Sequence, residues 1–473
     1  QLLFMQSSGG LTNAESFRGR DAILSGPAGG IVGAVHTAKL AGFDKIIGFD
    51  MGGTSTDVSH YAGEFEKSYE TEVAAVRMRV PMLHIHTVAA GGGSVLRYQD
   101  GRFRVGPESA GALPGPVCYR RNGKLAVTDI NLCLGKIQAD FFPSIFGPDQ
   151  NQALDKTSSV LAFTEIANTI DDGRSPEDVA EGFLAIAIEH MAQAIKKIST
   201  ARGYDVSSYV MNCFGGAGGQ HACLVAEKLG IKTVFLHSYS GILSAYGMGL
   251  ADIKVERQKV ADSLIQSGNA SAIHIAIEEL KQTNTEDLNS QGLGNSQIHH
   301  HCTALLKYLN TDTSLNIPLD SFATMQQRFT EQHKQQFGFS GTASGADKPI
   351  VIDTLIVESY GGAEKITETK RALARDLSVK IHSTRQIYSQ GEWLEAPVIH
   401  LTSLTFGHEV LGPAIIVEPT GTIIVEKNWR AVVNINGHLV LYFEPVKVSV
   451  SKQQKTLNAV PENTQTKADP VTL

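Results

Sequence analysis

The stretch that decides the fold is Lys45-Ile46-Ile47-Gly48-Phe49-Asp50-Met51-Gly52-Gly53-Thr54-Ser55-Thr56-Asp57. Residues 45–49 are short, largely apolar and bounded by glycines, which predicts a buried strand. The two glycines that follow let backbone N–H groups approach an anion, and the three hydroxyl residues can donate to phosphate oxygens. We therefore predict a strand that ends in a phosphate-holding loop; the alternative is an ordinary turn with solvated hydroxyls.

Two acids bracket this loop. Asp50 and Asp57 would repel a bare phosphate, so they make sense only with a cation such as Mg²⁺ between them and it. We predict that both aspartates are catalytic and hold Mg²⁺. The residues predicted to contact the phosphates are Gly52, Gly53, Thr54, Ser55 and Thr56.

A second glycine-rich turn follows the strand predicted over 208–214. Such a turn leaves no side chain above its backbone, so a flat purine ring or a ribose can rest on it. Alone this signal is weak, but it gains weight as the second glycine turn after a strand in one α/β unit. The nucleotide contacts predicted here are Gly215, Gly216, Gly218 and Gly219.

Four further residues are candidate ligands for a transition metal. His84 and His86 are two residues apart in a predicted strand, so we expect them on one face. Cys118 and Asp129 lie in a loop-rich region over 101–135, and long ordered loops tend to be functional. A purely structural role is the alternative for all four.

Composition and charge restrict the class of protein. The 473 residues are 42% hydrophobic and carry a formal net charge of -7, which argues against a general nucleic-acid binder. Five scattered cysteines without a CxxC motif suit a reducing cytosol. No apolar run approaches the roughly 18 to 20 residues that cross a membrane, so we expect a cytoplasmic protein without membrane or nucleic-acid partners.

Changes in composition and in predicted secondary structure along the chain predict three domains and a linker. Residues 1–258 read as an α/β lobe, 259–375 as an α+β domain, 376–447 as an all-β domain and 448–473 as a polar linker. Within the lobe, Ser175-Pro176-Glu177-Asp178 predicts the start of a long amphipathic helix. Because the chain begins at Gln1 and reads at once as a strand, we expect an N-terminal part to be missing.

Several motifs together resemble the hydantoinase A/5-oxoprolinase family. The loop at 49–57 also resembles the second phosphate loop of the actin/sugar-kinase/Hsp70 ATPase superfamily, and 214–222 resembles its adenosine loop. The motifs that carry the family resemblance are Ser25-Gly-Pro-Ala-Gly-Gly30, Asp50-Met-Gly-Gly-Thr-Ser-Thr-Asp57, Ala90-Gly-Gly-Gly-Ser94, Val105-Gly-Pro-Glu-Ser-Ala-Gly111, Pro114-Gly-Pro-Val-Cys-Tyr119 and Gly412-Pro-Ala-Ile-Ile416.

The resemblance implies an actin-like/RNase H-like ATPase lobe that uses ATP with Mg²⁺. It implies hydrolysis of a cyclic amide, 5-oxoproline to glutamate in glutathione metabolism or a hydantoin, through a phosphorylated carbonyl. Ring opening would fall to, or be shared with, a hydantoinase B-like part, in the same chain or as a subunit; the tail at 469–473 resembles the start of that part. We expect a homo-oligomer.

The superfamily clamps ATP between two lobes, each with an Asp-x-Gly loop, whereas this sequence contains one such loop, at Asp50. We therefore expect half an ATP site and no activity of the chain alone. One alternative is the nucleotide-binding subunit of an acetone- or acetophenone-carboxylase-like enzyme. The other is a non-catalytic ATP-binding module, against which the long loops at 90–131 argue.

Overall fold

The computed structural model describes residues 2–69, 71–73, 76–78, 80–339, 348–363 and 367–445, so the predicted linker at 448–473 lies outside the described residues. Among the described residues, no helix is both long and apolar enough to span a bilayer. The helices are α1 (Ser25–Leu40), α2 (Val127–Cys133), α3 (Lys156–Ile170), α4 (Pro176–Ile198), α5 (Ala222–Leu229), α6 (Leu243–Leu250), α7 (Ala270–Ser290) and α8 (Phe322–Phe337).

The strands alternate with these helices along the chain, which gives a mixed α/β fold. They are β1 (Leu3–Met5), β2 (Leu11–Asn13), β3 (Ile46–Met51), β4 (Thr56–Tyr61), β5 (Lys67–Ser68), β6 (Thr71–Val73), β7 (Val76–Met78), β8 (Met82–Leu83), β9 (His86–Val88), β10 (Ser94–Gln99), β11 (Arg102–Ser109), β12 (Val210–Phe214), β13 (Thr233–Leu236), β14 (Ile253–Leu264), β15 (His299–Tyr308), β16 (Leu315–Pro318), β17 (Ile350–Gly361), β18 (Ser383–Ser389), β19 (Glu392–His400), β20 (Glu409–Leu411), β21 (Ala414–Glu418), β22 (Gly421–Val425), β23 (Trp429–Val433) and β24 (Leu439–Phe443).

An eight-stranded sheet forms the centre of the molecule, in the order β20-β23-β24-β13-β12-β3-β4-β9. Strand β12 runs parallel to both β3 and β13, and Asp50 on β3 stands beside Phe214 on β12. The carboxyl ends of β3 and β12 therefore meet at one edge of the sheet, which is where ligands bind in open α/β sheets.

Both faces of this sheet are covered, as expected for strands with parallel neighbours. On β3, Ile47 and Phe49 pack into a core shared with α4 and α5. Ile46, which points to the other face, packs with residues of α1 and α6. Helix α4 starts at the predicted place, where Ser175 and Asp178 form a reciprocal cap and proline occupies the first helical position.

A second sheet has six strands in the order β1-β2-β14-β17-β15-β16, and helices α7 and α8 pack against it around a core of its own. Its first two strands come from residues 3–13. The boundary predicted at 258 therefore does not separate two sheets, because this sheet draws on both sides of it.

The boundary predicted at 375 is also not a boundary between sheets. Strands β20, β23 and β24 complete the central sheet, while β18, β19, β21 and β22 form a four-stranded sheet of their own. Ile416 and Ile423 pack into the same core as Phe49. The sequence pattern of residues 376–447 correctly indicated strands. The alternation of apolar and polar residues does not, however, reveal which strands pair with each other.

Candidate functional site

The acid-glycine loop is a tight hairpin between β3 and β4. Asp50 lies directly opposite Asp57 in the antiparallel register, and the Gly52 N–H donates to the Ser55 carbonyl over 3.1 Å. A Cβ added at Gly52 or Gly53 would meet nothing within 4 Å. The outer side of the loop is therefore open, as a phosphate-holding loop requires.

A second glycine segment holds the hairpin from the inner side. The N–H groups of Gly92 and Gly93 donate to the carbonyls of Gly52 and Gly53 over 3.1 and 2.5 Å. A Cβ at Gly91 would lie 2.5 Å from the backbone of Thr54. This close approach leaves room only for glycine at position 91. The two hydrogen bonds hold the carbonyls of Gly52 and Gly53 toward the interior of the protein.

The three hydroxyl residues of the hairpin differ in role. Thr54 is exposed and Ser55 half-buried. Thr56 is fully buried, and its hydroxyl donates to the Ala90 carbonyl over 2.5 Å. The prediction that Thr56 donates to phosphate is therefore corrected: its side chain fastens the hairpin to the segment beneath it.

The two glycine turns, separated by more than 150 residues in sequence, touch each other. A Cβ at Gly215 would lie 2.4 Å from Asp50 Oδ1, and the Ala217 N–H donates to the Met51 carbonyl over 3.0 Å. The parallel pairing of β3 and β12 brings about this contact, so both turns lie at one edge of one sheet.

Within the second turn the glycines divide into two kinds. Gly215 is half-buried and Gly216 exposed, whereas Gly218 and Gly219 are buried. A Cβ at Gly218 would lie 2.9 Å from Cys213 Sγ, and one at Gly219 2.9 Å from the Thr422 carbonyl. These two glycines allow close packing inside the protein, which corrects their predicted role as a platform for a base.

The two aspartates are electrostatically unfavourable to each other. Burial, and then the neighbouring charge of Asp57, raises the pKa of Asp50 to about 6, against a hydrogen bond from Ser244 that lowers it. Burial also raises the pKa of Asp57, although Thr87 donates to its Oδ1 over 2.6 Å. A cation held between these two carboxylates would relieve both penalties.

The sequence did not identify Ser244, which reaches Asp50 from α6 because that helix packs very closely on α1. A Cβ at Gly30 would lie 2.8 Å from Ser244 Oγ, and one at Gly247 only 2.0 Å from the Gly29 carbonyl. The sequence feature that could have indicated this contact is the spacing of glycines in α1 and α6, which permits the two helices to approach closely.

Glu418 was also missed, because it comes from the C-terminal strands. It ends β21, and the Ser240 hydroxyl donates to its Oε1 over 3.4 Å. The Ser240 carbonyl in turn accepts from the Gly215 N–H over 3.0 Å. Burial raises the pKa of Glu418. A third acid thus borders the second glycine turn, and only the tertiary fold places it there.

His84 and His86 do not share a strand, which corrects the prediction that they form a pair on one face. His84 lies between β8 and β9, and His86 begins β9. Burial lowers both pKa values, helped by the charge of Arg202 at His84 and of Lys197 at His86. At His84 the Glu66 carboxylate, 3.8 Å from Nδ1, opposes these effects, whereas at His86 the neighbouring Lys197 charge disfavours a bound cation.

Cys118 and Asp129 do contact each other, but their groups are already satisfied. Asp129 is fully buried and accepts from the N–H groups of Cys118, Val117 and Ala126 and from the Ser159 hydroxyl. Burial, followed by the charge of Asp129, raises the pKa of the Cys118 thiol, so the thiolate that binds metals is disfavoured. Both residues serve as a structural anchor for the loop region.

The structure is that of a mixed α/β protein with a glycine hairpin whose outer side is open. The family profile described as Hydantoinase/oxoprolinase matches residues 1–257, and the one described as its C-terminal domain matches 261–444. The chain therefore belongs to the hydantoinase/oxoprolinase family, as its motifs indicated.

Known relatives are consistent with this membership. "5-oxoprolinase 1" of Arabidopsis thaliana is 39% identical over 97% of the chain, which spans 37% of that protein. The crystal structure of the ATP-dependent caprolactamase from Pseudomonas jessenii is similar, with a TM-score of 0.84 and 27% identity over 93% of this chain and 65% of that one. The nucleotide-free structure of an acetone carboxylase shares the fold, with a TM-score of 0.71 and 24% identity over 93% of this chain and 64% of that one.

Proposed function

We propose that this chain supplies one wall of an ATP site, built on an actin-like lobe, in an enzyme that hydrolyses a cyclic amide. The observation that carries the proposal is the contact between two turns: the open hairpin with its paired acids, Asp50 and Asp57, touches the Gly215 turn at one sheet edge. The hairpin would hold the phosphates, and Gly215 and Gly216 would border the rest of the nucleotide.

The residues present fit Mg²⁺. Two carboxylates face each other across the hairpin with pKa values raised by burial, and oxygen donors are what Mg²⁺ prefers. Asp50 and Asp57 would hold the ion, which when bound offsets the charge of the phosphates. The N–H group of the exposed Gly53, together with the hydroxyls of Thr54 and Ser55, would orient the phosphate oxygens, and Gly52 would leave space for them beside the hairpin.

ATP would make an otherwise resistant amide hydrolysable. The γ-phosphoryl group passes to the carbonyl oxygen of the ring and leaves ADP. Water then adds to the activated carbon, and the ring C–N bond breaks to leave an acyl phosphate with a free amine. A second water hydrolyses the acyl phosphate to inorganic phosphate and the open-chain amino acid. Support for this reaction comes from the relatives, one named 5-oxoprolinase and one an ATP-dependent caprolactamase.

We propose 5-oxoproline as the first substrate to test and a hydantoin as the second. Ring opening would be completed by a hydantoinase B-like part, in the same chain or as a subunit, and the ATP site by a second lobe. The complete enzyme would be a homo-oligomer that acts in cytoplasmic glutathione metabolism.

The test measures phosphate release by the full-length protein that carries this chain, with 5-oxoproline, N-methylhydantoin and acetophenone in parallel. We expect a cyclic amide to stimulate release, and Asp50→Asn to reduce it by about 100-fold or more. The matched control is Asp44→Asn, an exposed aspartate six positions earlier in the sequence. Stimulation by acetophenone alone would indicate a carboxylase-like enzyme, and no stimulation by any of the three would favour a non-catalytic module.

A further inference from the structure

We propose that His237, Glu368 and His438 form a binding site for a divalent transition metal, separate from the nucleotide site. Each residue offers one ligand atom, and these atoms all lie within 4.8 Å of one another. Two imidazoles and one carboxylate are a ligand set that binds Zn²⁺ and leaves a fourth position open.

The sheet itself brings the two histidines together. His237 follows the last residue of β13 and His438 precedes the first residue of β24, and Leu236 pairs with Leu439 in the antiparallel register. The two rings lie side by side, with centroids 4.2 Å apart. Their placement is therefore as rigid as the sheet, as a metal site requires.

Glu368 reaches this pair from the segment that precedes β18. Its Oε2 lies 2.8 Å from His438 Nε2, and its Oε1 lies 3.3 Å from His237 Nε2. The side chains of the two histidines and the glutamate are 2%, 4% and 10% exposed. The site is thus almost closed to solvent, so its polar atoms need partners within the protein or from a bound ion.

One carboxylate oxygen is poorly paired. Among the described residues, buried Glu368 Oε1 accepts no hydrogen bond of good geometry, and His237 Nε2, which is 3.3 Å away, is its nearest ionic neighbour. The other oxygen, Oε2, accepts from the Asn436 amide as well as facing His438. A buried carboxylate oxygen 3.3 Å from an imidazole nitrogen has the spacing of two ligands that bind one cation.

The distances suit a small tetrahedral ion. Ligands about 2.1 Å from Zn²⁺ stand about 3.4 Å apart, close to the 3.3 Å between Glu368 Oε1 and His237 Nε2. The third ligand atom, from His438, lies within 4.8 Å of the other two. The Asn436 amide would then orient the carboxylate, as the partners of metal ligands commonly do.

A hydrogen-bonded cluster without metal is the competing explanation for the same residues. The Nδ1 atoms of His237 and His438 accept from the N–H groups of Tyr239 and Ser238 over 3.1 and 3.2 Å. Without metal, both rings therefore carry their proton on Nε2. Metal binding moves these protons to Nδ1 and breaks both contacts.

Breaking these two contacts does not prevent metal binding. They are long bonds between uncharged groups, and such bonds contribute little net stability. Two metal–nitrogen bonds outweigh them. The required proton shift also gives the proposal a signature that a purely structural cluster lacks.

The first test titrates Zn²⁺, and Co²⁺ as a coloured substitute, into the metal-stripped 473-residue chain. We expect one tight site with the absorption of a tetrahedral Co²⁺ complex and no competition from Mg²⁺. Glu368→Gln and His438→Ala should each weaken Zn²⁺ binding by about 100-fold or more. The matched control, His190→Ala, removes an exposed histidine on α4 and should leave binding unchanged.

The second test keeps the proposal falsifiable if a variant folds poorly. Nitrogen NMR of the histidine rings in the unsubstituted chain should show two Nε2-protonated rings converting to Nδ1-protonated rings as Zn²⁺ is added. Unchanged protonation, or Zn²⁺ affinity equal in Glu368→Gln and the unsubstituted chain, would overturn the proposal. Neither outcome bears on ATP use, so the two proposals can fail independently.

Discussion

Gly247→Ala tests the claim that the position of Ser244 depends on close contact between α1 and α6. The added Cβ would lie 2.0 Å from the Gly29 carbonyl oxygen, 2.5 Å from the Gly33 nitrogen and 2.8 Å from the Gly33 Cα. All three atoms are backbone, so no side-chain rotation relieves the contact. The helices must separate by about 1 Å or more, and overpacking of this kind costs about 1–3 kcal/mol.

Gly249→Ala is the matched control, two residues further along the same helix. Gly249 is exposed, and a Cβ there meets nothing within 4 Å. Alanine is the better helix former, so this variant should be more stable by about 0.5–1 kcal/mol.

Urea unfolding followed by circular dichroism compares the two variants. The opposite signs predict that the two variants differ by about 1.5–4 kcal/mol in free energy of unfolding. Equal stability of Gly247→Ala and the unsubstituted chain would refute the inference that the helices touch through backbone. An equal loss in Gly249→Ala would show that the cost belongs to the helix and not to the contact.

Three further predictions concern a buried ion pair, the titration of Asp50 and the open hairpin. Lys136 and Glu426 form an ion pair in which each side chain is 1% exposed, so Lys136→Met should lower the free energy of unfolding by about 3–5 kcal/mol. The control is Lys124→Met, which removes an ion pair with Glu108 whose side chains are 57% and 41% exposed, and it should cost under about 1 kcal/mol. Similar losses in the two variants would contradict the argument. Because the pKa of Asp50 is raised from 3.8 to about 6, the folded state holds this proton more tightly than the unfolded state, and stability is lost as pH rises through that window. The pH-dependent difference between Asp50→Asn and the unsubstituted chain should therefore vanish near about pH 3, below both pKa values, and reach roughly 2–3 kcal/mol in favour of the variant above about pH 7 in urea titrations. A constant difference at all pH values would show that Asp50 is not so perturbed. Gly53→Ala should leave the thermal midpoint within about 2 °C of that of the unsubstituted chain, because the added Cβ meets nothing within 4 Å. The same substitution should weaken ATP binding by the full-length protein in calorimetry. An unchanged affinity for ATP would place the phosphates elsewhere.

The hairpin could be predicted from sequence because its signal is local. Residues 45–57 contain the strand, the glycines and both acids in one run, and the structure places Asp50 opposite Asp57 as a hairpin requires. The start of α4 was predictable for the same reason, since its cap, proline and acids are neighbours in sequence. Thr56 was misassigned because burial, which decides where its hydroxyl points, is not a local property.

The rest of the site depends on contacts between distant segments. Ser244 reaches Asp50 through helix packing, and Glu418 reaches the Gly215 turn through a hairpin from the end of the chain. Gly218 and Gly219 match a nucleotide-loop pattern, yet neighbouring strands cover them. The sheets were not predictable for a related reason: residues 3–13 and 429–443 join sheets formed by segments far away in sequence, on the other side of the predicted domain boundaries.

The central claim is that the paired acids and the open hairpin hold the metal-bound phosphates of ATP. Calorimetric titration of ATP into the full-length protein, with Mg²⁺ and then with EDTA, tests it most directly. We predict that removing Mg²⁺ weakens ATP binding by about 10-fold or more, and that Asp50→Asn abolishes this dependence on Mg²⁺. Equal affinity with and without Mg²⁺, or a dependence on Mg²⁺ that survives in Asp50→Asn, would contradict the claim.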